Sequence, residues 1–197
     1  MPRGERSAGE TLTASAALTA APVDQRTADA FASSWNNLPG GSVYSFAQFE
    51  EWLAPLTPEV VAGRRVLELG CGNGSLLVHL TRWDPAYLEA VDLGDSVRSA
   101  EENMRATGFT DYRVVQGDML SHASDEPFDL VYCIGVLHHL KSPAAGFEAV
   151  LRQVAPGGRF HCWVYAHEGN APVRWLVEPM RRVTSRLPWW ITKSGVA

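Results

Sequence analysis

Residues 65–74, Arg-Val-Leu-Glu-Leu-Gly-Cys-Gly-Asn-Gly, constrain the fold more tightly than any other part of the chain. They read as a short buried strand followed by a glycine turn, with Ser75-Leu76-Leu77-Val78-His79-Leu80 opening a helix. Glycines at 70, 72 and 74 permit a tight turn and let a ligand lie directly against main-chain N–H groups. Strand, glycine turn and helix in that order are how α/β folds hold nucleotide-like ligands at the carboxyl edge of a sheet. The spacing is Gly-x-Gly-x-Gly, with Ser75 and Leu76 where a dinucleotide fingerprint would run on to its last glycine. Glu68 stands two residues before the first glycine. An acid aimed into the turn suits a ligand with cationic ends better than a pyrophosphate.

The rest of the chain must supply a sheet for this strand. Its 197 residues suffice for one domain with a full core. A net charge of −5 argues against a dedicated nucleic-acid binder, which is usually basic. Cys71, Cys133 and Cys162 lie in or beside apolar strand-like runs, so the expectation is buried, reduced thiols with no disulfide framework. No apolar run approaches the roughly 18 residues that span a bilayer. The alanine-rich stretch 13–21 follows Glu5 and Glu10 and reads as part of a flexible leader, not a signal sequence. A cytoplasmic location is expected.

In chain order, residues 1–26 form that leader and 27–62 an N-terminal helical segment. Phe31 and Trp35 lie four apart, as on a helix, and Ser45 with Gln48 has capping-box spacing. The helix after that box carries Phe46, Phe49, Trp52 and Leu53 on one face. This segment is either a lid docked on the sheet edge or a plain packing helix. Residues 63–165 then alternate strands and helices. Strands are expected at 87–92, 112–116, 128–134 and 159–165. A helix capped by Gly94-Asp95-Ser96 and closed by Gly108 carries Val97, Ala100 and Met104. Another, capped by Ser142-Pro143, turns Phe147, Val150, Leu151 and Val154 inward until Pro156-Gly157-Gly158 stops it. Five strands alternating with helices predict an α/β, Rossmann-like, doubly wound and mainly parallel sheet.

In such a sheet ligands bind beyond the carboxyl ends of the strands. Those ends offer Glu68 and the glycines, then Asp92, then Asp118, then Cys133 and Ile134, then Tyr165 and His167. Acids at the ends of three separate strands form a pattern. Asp92 falls where an α/β fold puts the carboxylate that pairs with ribose hydroxyls, and a charged acceptor strengthens both bonds to a cis-diol. Asp118 is a second acceptor one strand further out, placed for an adenine amine. No metal-ligand spacing occurs.

The ordered set resembles the class I S-adenosylmethionine-dependent methyltransferases. Residues 66–74 look like that family's first motif, and Asp92 matches the acid after its second strand. Gly117-Asp118-Met119 matches the third-strand motif, and 128–131 with Gly135-Val136-Leu137-His138-His139 the fourth. Residues 151–158 resemble its turn into the fifth strand. The resemblance implies S-adenosylmethionine as cofactor. Gly70, Cys71 and Gly72 would meet its methionine part and ribose, and Glu68 would orient the turn or the amino end. Asp92 would take the ribose hydroxyls, with Leu93 beside the adenine and Asp118 and Met119 at its rim. The backbone at Cys133 or Ile134 would accept from the cofactor's amino group. His138 and His167 are the candidate bases, and His138, Tyr165, His167 and Glu168 the candidate acceptor contacts.

The family usually ends its sheet with two more strands, and residues 166–197 do not read that way. This tail is basic and Trp-rich, and an uncovered fifth-strand edge would be sticky. The tail, a partner chain as in a homodimer, or both are expected to cover that edge. Arginines among tryptophans also suit peripheral contact with an anionic membrane surface, against the plainer reading of a packing helix. Three functions are in play. The first is methyl transfer to a small-molecule or lipid-like acceptor; the second is a non-catalytic module binding the cofactor or a partner subunit. The third, a nicotinamide dehydrogenase, fits the glycine spacing and Asp118 poorly.

Overall fold

A computed structural model of the chain describes residues 25–38 and 40–164. Residues 1–24 of the expected leader, the tail, Tyr165, His167 and Glu168 lie outside the described residues, while residues 25 and 26 of that leader are already helical. Five strands form one sheet: β1 (Arg65–Leu69), β2 (Tyr87–Asp92), β3 (Tyr112–Gln116), β4 (Phe128–Ile134) and β5 (Val154–Trp163). Their order is β3-β2-β1-β4-β5, and each neighbouring pair runs parallel. The chain winds outward from β1 to β3, then jumps back to lay β4 on the other side of β1. That reversal opens a crevice at the carboxyl ends of β1 and β4, where sheets of this kind bind ligands.

Side-chain alternation along buried strands divides the core in two. Val66, Leu88, Ala90, Leu130 and Tyr132 meet one layer of helices, α2 (Phe46–Leu53), α3 (Pro58–Val61), α4 (Leu77–Leu80) and α5 (Val97–Thr107). On the other face Leu67, Leu69, Val91, Val131 and Cys133 pack against Val150 of α6 (Pro143–Gln153) and against Leu137. α1 (Gln25–Asn36) precedes them all. Helices on both faces of a five-strand parallel sheet are the doubly wound arrangement expected.

Local chemistry starts and stops these elements. The Ser45 hydroxyl accepts from the Gln48 N–H, while the Gln48 side chain accepts from the Ser45 N–H, which closes the capping box of α2. Ser142 accepts from the Ala145 N–H with Pro143 at the first helical position of α6. Gly108 ends α5 in the left-handed conformation, φ 78°.

Five details differ from the sequence reading. Ser96 adopts helical angles and makes no side-chain cap. The helix after the glycine turn is only four residues long and passes into a 3-10 turn, Thr81–Trp83. β5 begins at Val154, five residues early, because the chain enters the strand through an irregular pairing opposite Phe128 and Leu130. Phe147 and Leu151 of α6 face outward, 46% and 48% exposed, and Cys162 is exposed as well. α6 has the sheet on one side only, so its apolar stripe is wider than the surface it covers.

Gly74 shows why the turn takes glycine. Its φ is 76°, and an added Cβ would sit 3.2 Å from the Cα of Ala100 in α5. Gly157 has the same sign of φ, 78°, but open space around it. Left-handed backbone alone costs a non-glycine residue about 1–2 kcal/mol. Gly157→Ala is therefore expected to lose about 1 kcal/mol of unfolding free energy in urea titrations. Gly74→Ala should lose about twice that, since α5 must also move away.

Candidate functional site

The carboxyl ends of β1, β2 and β4 enclose a cavity of about 180 Å³. Gly70 forms part of its wall, with φ 84°, and a Cβ there would overlap the Val136 side chain. The glycine turn is stitched to β2. The Gly70 and Cys71 N–H groups donate to the Val91 carbonyl at 2.7 and 3.2 Å, and the Gly72 N–H donates to the Asp92 carboxylate at 2.8 Å. The other Asp92 oxygen accepts from the Gly94 N–H, also at 2.8 Å. Burial raises the Asp92 carboxyl above its usual range, while these two N–H groups pull it back. Asp92 thus walls the cavity and holds the turn.

Leu93 continues that wall, and Gly117, Asp118 and Met119 supply the next. Asp118 accepts from the Leu120 N–H at 2.9 Å, which folds the loop after β3 back on itself. That loop is held from behind by residues the sequence reading missed. Glu89, buried in β2, lies 2.9 Å from the His122 ring and accepts from the Ser124 and Tyr87 hydroxyls, both at 2.9 Å. The Gln153 amide of α6 donates to the His122 carbonyl at 2.6 Å. Tyr87 lies on β2 itself, whereas His122 and Ser124 lie on the loop after β3, up to 35 residues from Glu89, so an acid inside an apolar strand was the only trace in the sequence.

Ile134, Gly135 and Val136 close the cavity beyond β4, and Phe31 and Trp35 of α1 roof it. The Trp35 indole lies against Gly72, where a Cβ would come within 3.0 Å of its Nε1. The Phe31 ring packs on His139, centroids 5.0 Å apart. Of the histidine pair, His139 lines the cavity and His138 does not. The rings are 4.1 Å apart, and burial together with His139 lowers the His138 pKa below the ordinary imidazole value. Both effects favour the neutral form of His138.

Glu68, Cys71, Gly72 and Cys133 stand behind the cavity wall and do not line it. Glu68 is 2% exposed beneath the glycine turn and accepts from the Tyr132 hydroxyl at 2.8 Å. Burial pushes its carboxyl up to about 8; the Tyr132 bond opposes this and the nearby Asp92 adds to it. The Cys71 thiol is driven well above its ordinary value by burial and by both acids, and Cys133 is raised to about 12 by burial. Both cysteines are small apolar packing groups here. Of the predicted positions, Gly70, Asp92, Leu93, Asp118, Met119 and Ile134 meet at one cavity, while α1 contributes a roof.

Similar proteins share this architecture. A ubiquinone biosynthesis O-methyltransferase of Paracidovorax citrulli is 36% identical over 117 residues, 58% of this chain and 46% of the relative. The chain spans half or less of the length of the curated relatives it matches. An S-adenosylmethionine-dependent methyltransferase of Clostridium acetobutylicum superposes with TM-score 0.52 at 22% identity, over 60% of this chain and 50% of its own. N-methyltransferase NodS of Bradyrhizobium japonicum, solved with S-adenosyl-L-homocysteine, gives 0.50 at 20%, over 58% and 57%. At these identities the two structures establish the fold. The family model described as a methyltransferase domain matches residues 43–194, most of the chain. The chain is a member of the methyltransferase-domain family, built on the class I, Rossmann-like fold.

Proposed function

We propose that the chain binds S-adenosylmethionine at the carboxyl ends of β1, β2 and β4 and transfers its methyl group to a small-molecule acceptor. One observation carries this reading: Gly70 at the start of the glycine turn, the carboxylates Asp92 and Asp118, and the apolar Leu93 and Met119 converge on a single cavity. The donor set fits such a cofactor. Asp92 retains lone pairs for a ribose diol beyond the two it gives to Gly72 and Gly94. Leu93 and Met119 offer apolar surface to an adenine ring, with Asp118 beside them. Gly70 presents only backbone to the cavity, beside Val136, where the chain that joins ribose and amino acid would pass.

When bound, the cofactor supplies a methyl group already activated on a sulfonium. The protein's own task is to align an acceptor at about 3 Å and keep water out, which can provide most of the acceleration. Phe31 and Trp35 exclude water from above. His139 lines the cavity and His138, whose neutral form is favoured, stands beside it, so this pair offers a base where the acceptor must lose a proton. The O-methyltransferase relatives support an acceptor oxygen on a small molecule.

Asp92→Ala is expected to weaken S-adenosylmethionine binding at least tenfold in calorimetry, about 1.4 kcal/mol, and an unchanged affinity would remove Asp92 from the site. Transfer of label from methyl-labelled cofactor to a phenolic or catecholic acceptor tests the reaction; binding without transfer across such a panel would leave a non-catalytic binding module.

Glu68 gives a pH signature. Its carboxyl is held at about 8 in the fold against an ordinary 4.5. The folded state therefore favours the protonated form, so this stability is present below pH 4.5 and lost as pH rises through 8. Urea midpoints of wild type and Glu68→Gln should lie closest near pH 5, with the variant gaining by pH 9. Parallel pH curves would show that Glu68 does not titrate in this way.

A further inference from the structure

Asn103 sits in α5 with its side chain inside the protein, 8% exposed. Burying an amide in a helix interface is unfavourable unless its hydrogen bonds are met. Here they are met by two other segments. The Gly41 N–H donates to Oδ1 at 2.6 Å, and the amide donates to the Asn73 carbonyl at 2.9 Å and the Gly41 carbonyl at 3.3 Å. One side chain thereby joins α5, the glycine turn and the segment that leads out of α1.

The same junction is reinforced a few residues on. Ser42 donates to the Ser75 carbonyl at 2.7 Å, and the Val43 N–H donates to the Ser75 hydroxyl at 3.2 Å. Ser75 in turn donates to the Asn73 side chain at 2.6 Å. The His79 ring lies 2.8 Å from the Tyr44 carbonyl. Residues 41–44 are therefore bolted to the turn.

α1 is held differently. Among its contacts with the body are Ala32 against Gly94, Trp35 against Gly72 and edge-on to the Tyr44 ring, and Phe31 against His139. Its hydrogen bonds through Asn36, to Asp95 at 2.9 Å and from Ser99 at 3.1 Å, are exposed. Gly41, at φ 85°, stands between α1 and the bolted segment. The cavity beneath, about 180 Å³, is smaller than the roughly 300–1,000 Å³ of typical small-molecule sites. Phe31 and Trp35 of α1 form a part of its wall that lies outside the sheet and the glycine turn.

We infer that Asn103 is a positioning residue: by clamping Gly41 to Asn73 it forms the fixed post on which α1 opens and recloses, returning Phe31 and Trp35 over the bound cofactor. The inference rests on the cofactor reading above. Asn103 touches no reacting group; it acts through the roof.

The test is a double-mutant cycle on the full chain, read by the dissociation rate of S-adenosylhomocysteine in stopped flow. Asn103→Ala and Trp35→Ala should each speed dissociation about tenfold. Because both act through the same roof, the double variant should stay near tenfold and not reach the hundredfold product. Asn103→Leu, which keeps the volume and loses the clamp, should behave like Asn103→Ala. Amide exchange adds a ligand-free arm. Either Asn103 variant should raise exchange in α1 about tenfold while β1 stays at the wild-type rate. Dissociation within twofold of wild type for both Asn103 variants, or a multiplicative double variant, overturns the clamp. Wild-type protein that fails to bind the homocysteine product overturns the cofactor reading instead, and the exchange arm then decides the clamp by itself.

Discussion

The glycine turn is held by its neighbour strand, and the remaining structure depends on that stitching. Three consecutive N–H groups after β1, from Gly70, Cys71 and Gly72, would otherwise point into open space with nothing to accept them. They are taken by the Val91 carbonyl and the Asp92 carboxylate at the end of β2. A turn fixed in this way can present a bare backbone to a ligand without collapsing when the ligand leaves. It also gives three other elements a place to dock. α5 closes on Gly74, Trp35 on Gly72 and Val136 on Gly70; a Cβ would be tight at the first two and would overlap Val136 at the third. Asp92 therefore has two duties that cannot be separated, as wall of the cavity and as anchor of the turn.

The two buried acids of the central strands divide the remaining work by strand alternation. Glu68 points to the α2–α5 side and meets Tyr132, whereas Glu89 points to the α6 side and meets His122, Ser124 and Tyr87. Glu89, flanked on three sides, secures the loop that carries Asp118 and Met119. Glu68 has the phenol and a nearby acid for company, so burial leaves it reluctant to ionise. A cationic group above the turn would reverse that preference, which is a physical reason for an acid so close to the glycines. Buried acids on one strand after another would be an odd way to stabilise a sheet. They are a reasonable way to hold two loops in place around one opening.

Much of the frame was legible in the chain itself. The bounds of β1 to β4 follow from apolar runs punctuated by glycine and aspartate, and the caps at Ser45 and Ser142 follow from spacing. That Asp92, Asp118 and Gly70 meet at one cavity was legible because strand ends in a parallel sheet lie together. The misses have a common cause. Phe147 and Leu151 keep a helical apolar period, yet a period cannot say how wide a surface the helix will meet. Asn103 reads as an unremarkable polar residue in a helix, and its partners Gly41 and Asn73 lie 62 and 30 residues away. His138 and His139 are indistinguishable in sequence, and only the 3-10 turn Leu137–His139 decides which of the two lines the cavity.

The sequence by itself determined the local units: where strands begin and end, where the backbone must be free of Cβ atoms, and which acids stand at strand ends. Those are properties of neighbours along the chain, set by backbone sterics and by the alternation of apolar side chains. Only the tertiary structure decided how those units share one opening. The strand order β3-β2-β1-β4-β5 brings Asp92 and Ile134 to the same crevice. The clamp at Asn103 ties the segment after α1 to the turn, and Phe31 and Trp35 become a roof. Such contacts join residues tens of positions apart, and their energy appears only when the whole sheet is in place to hold both ends.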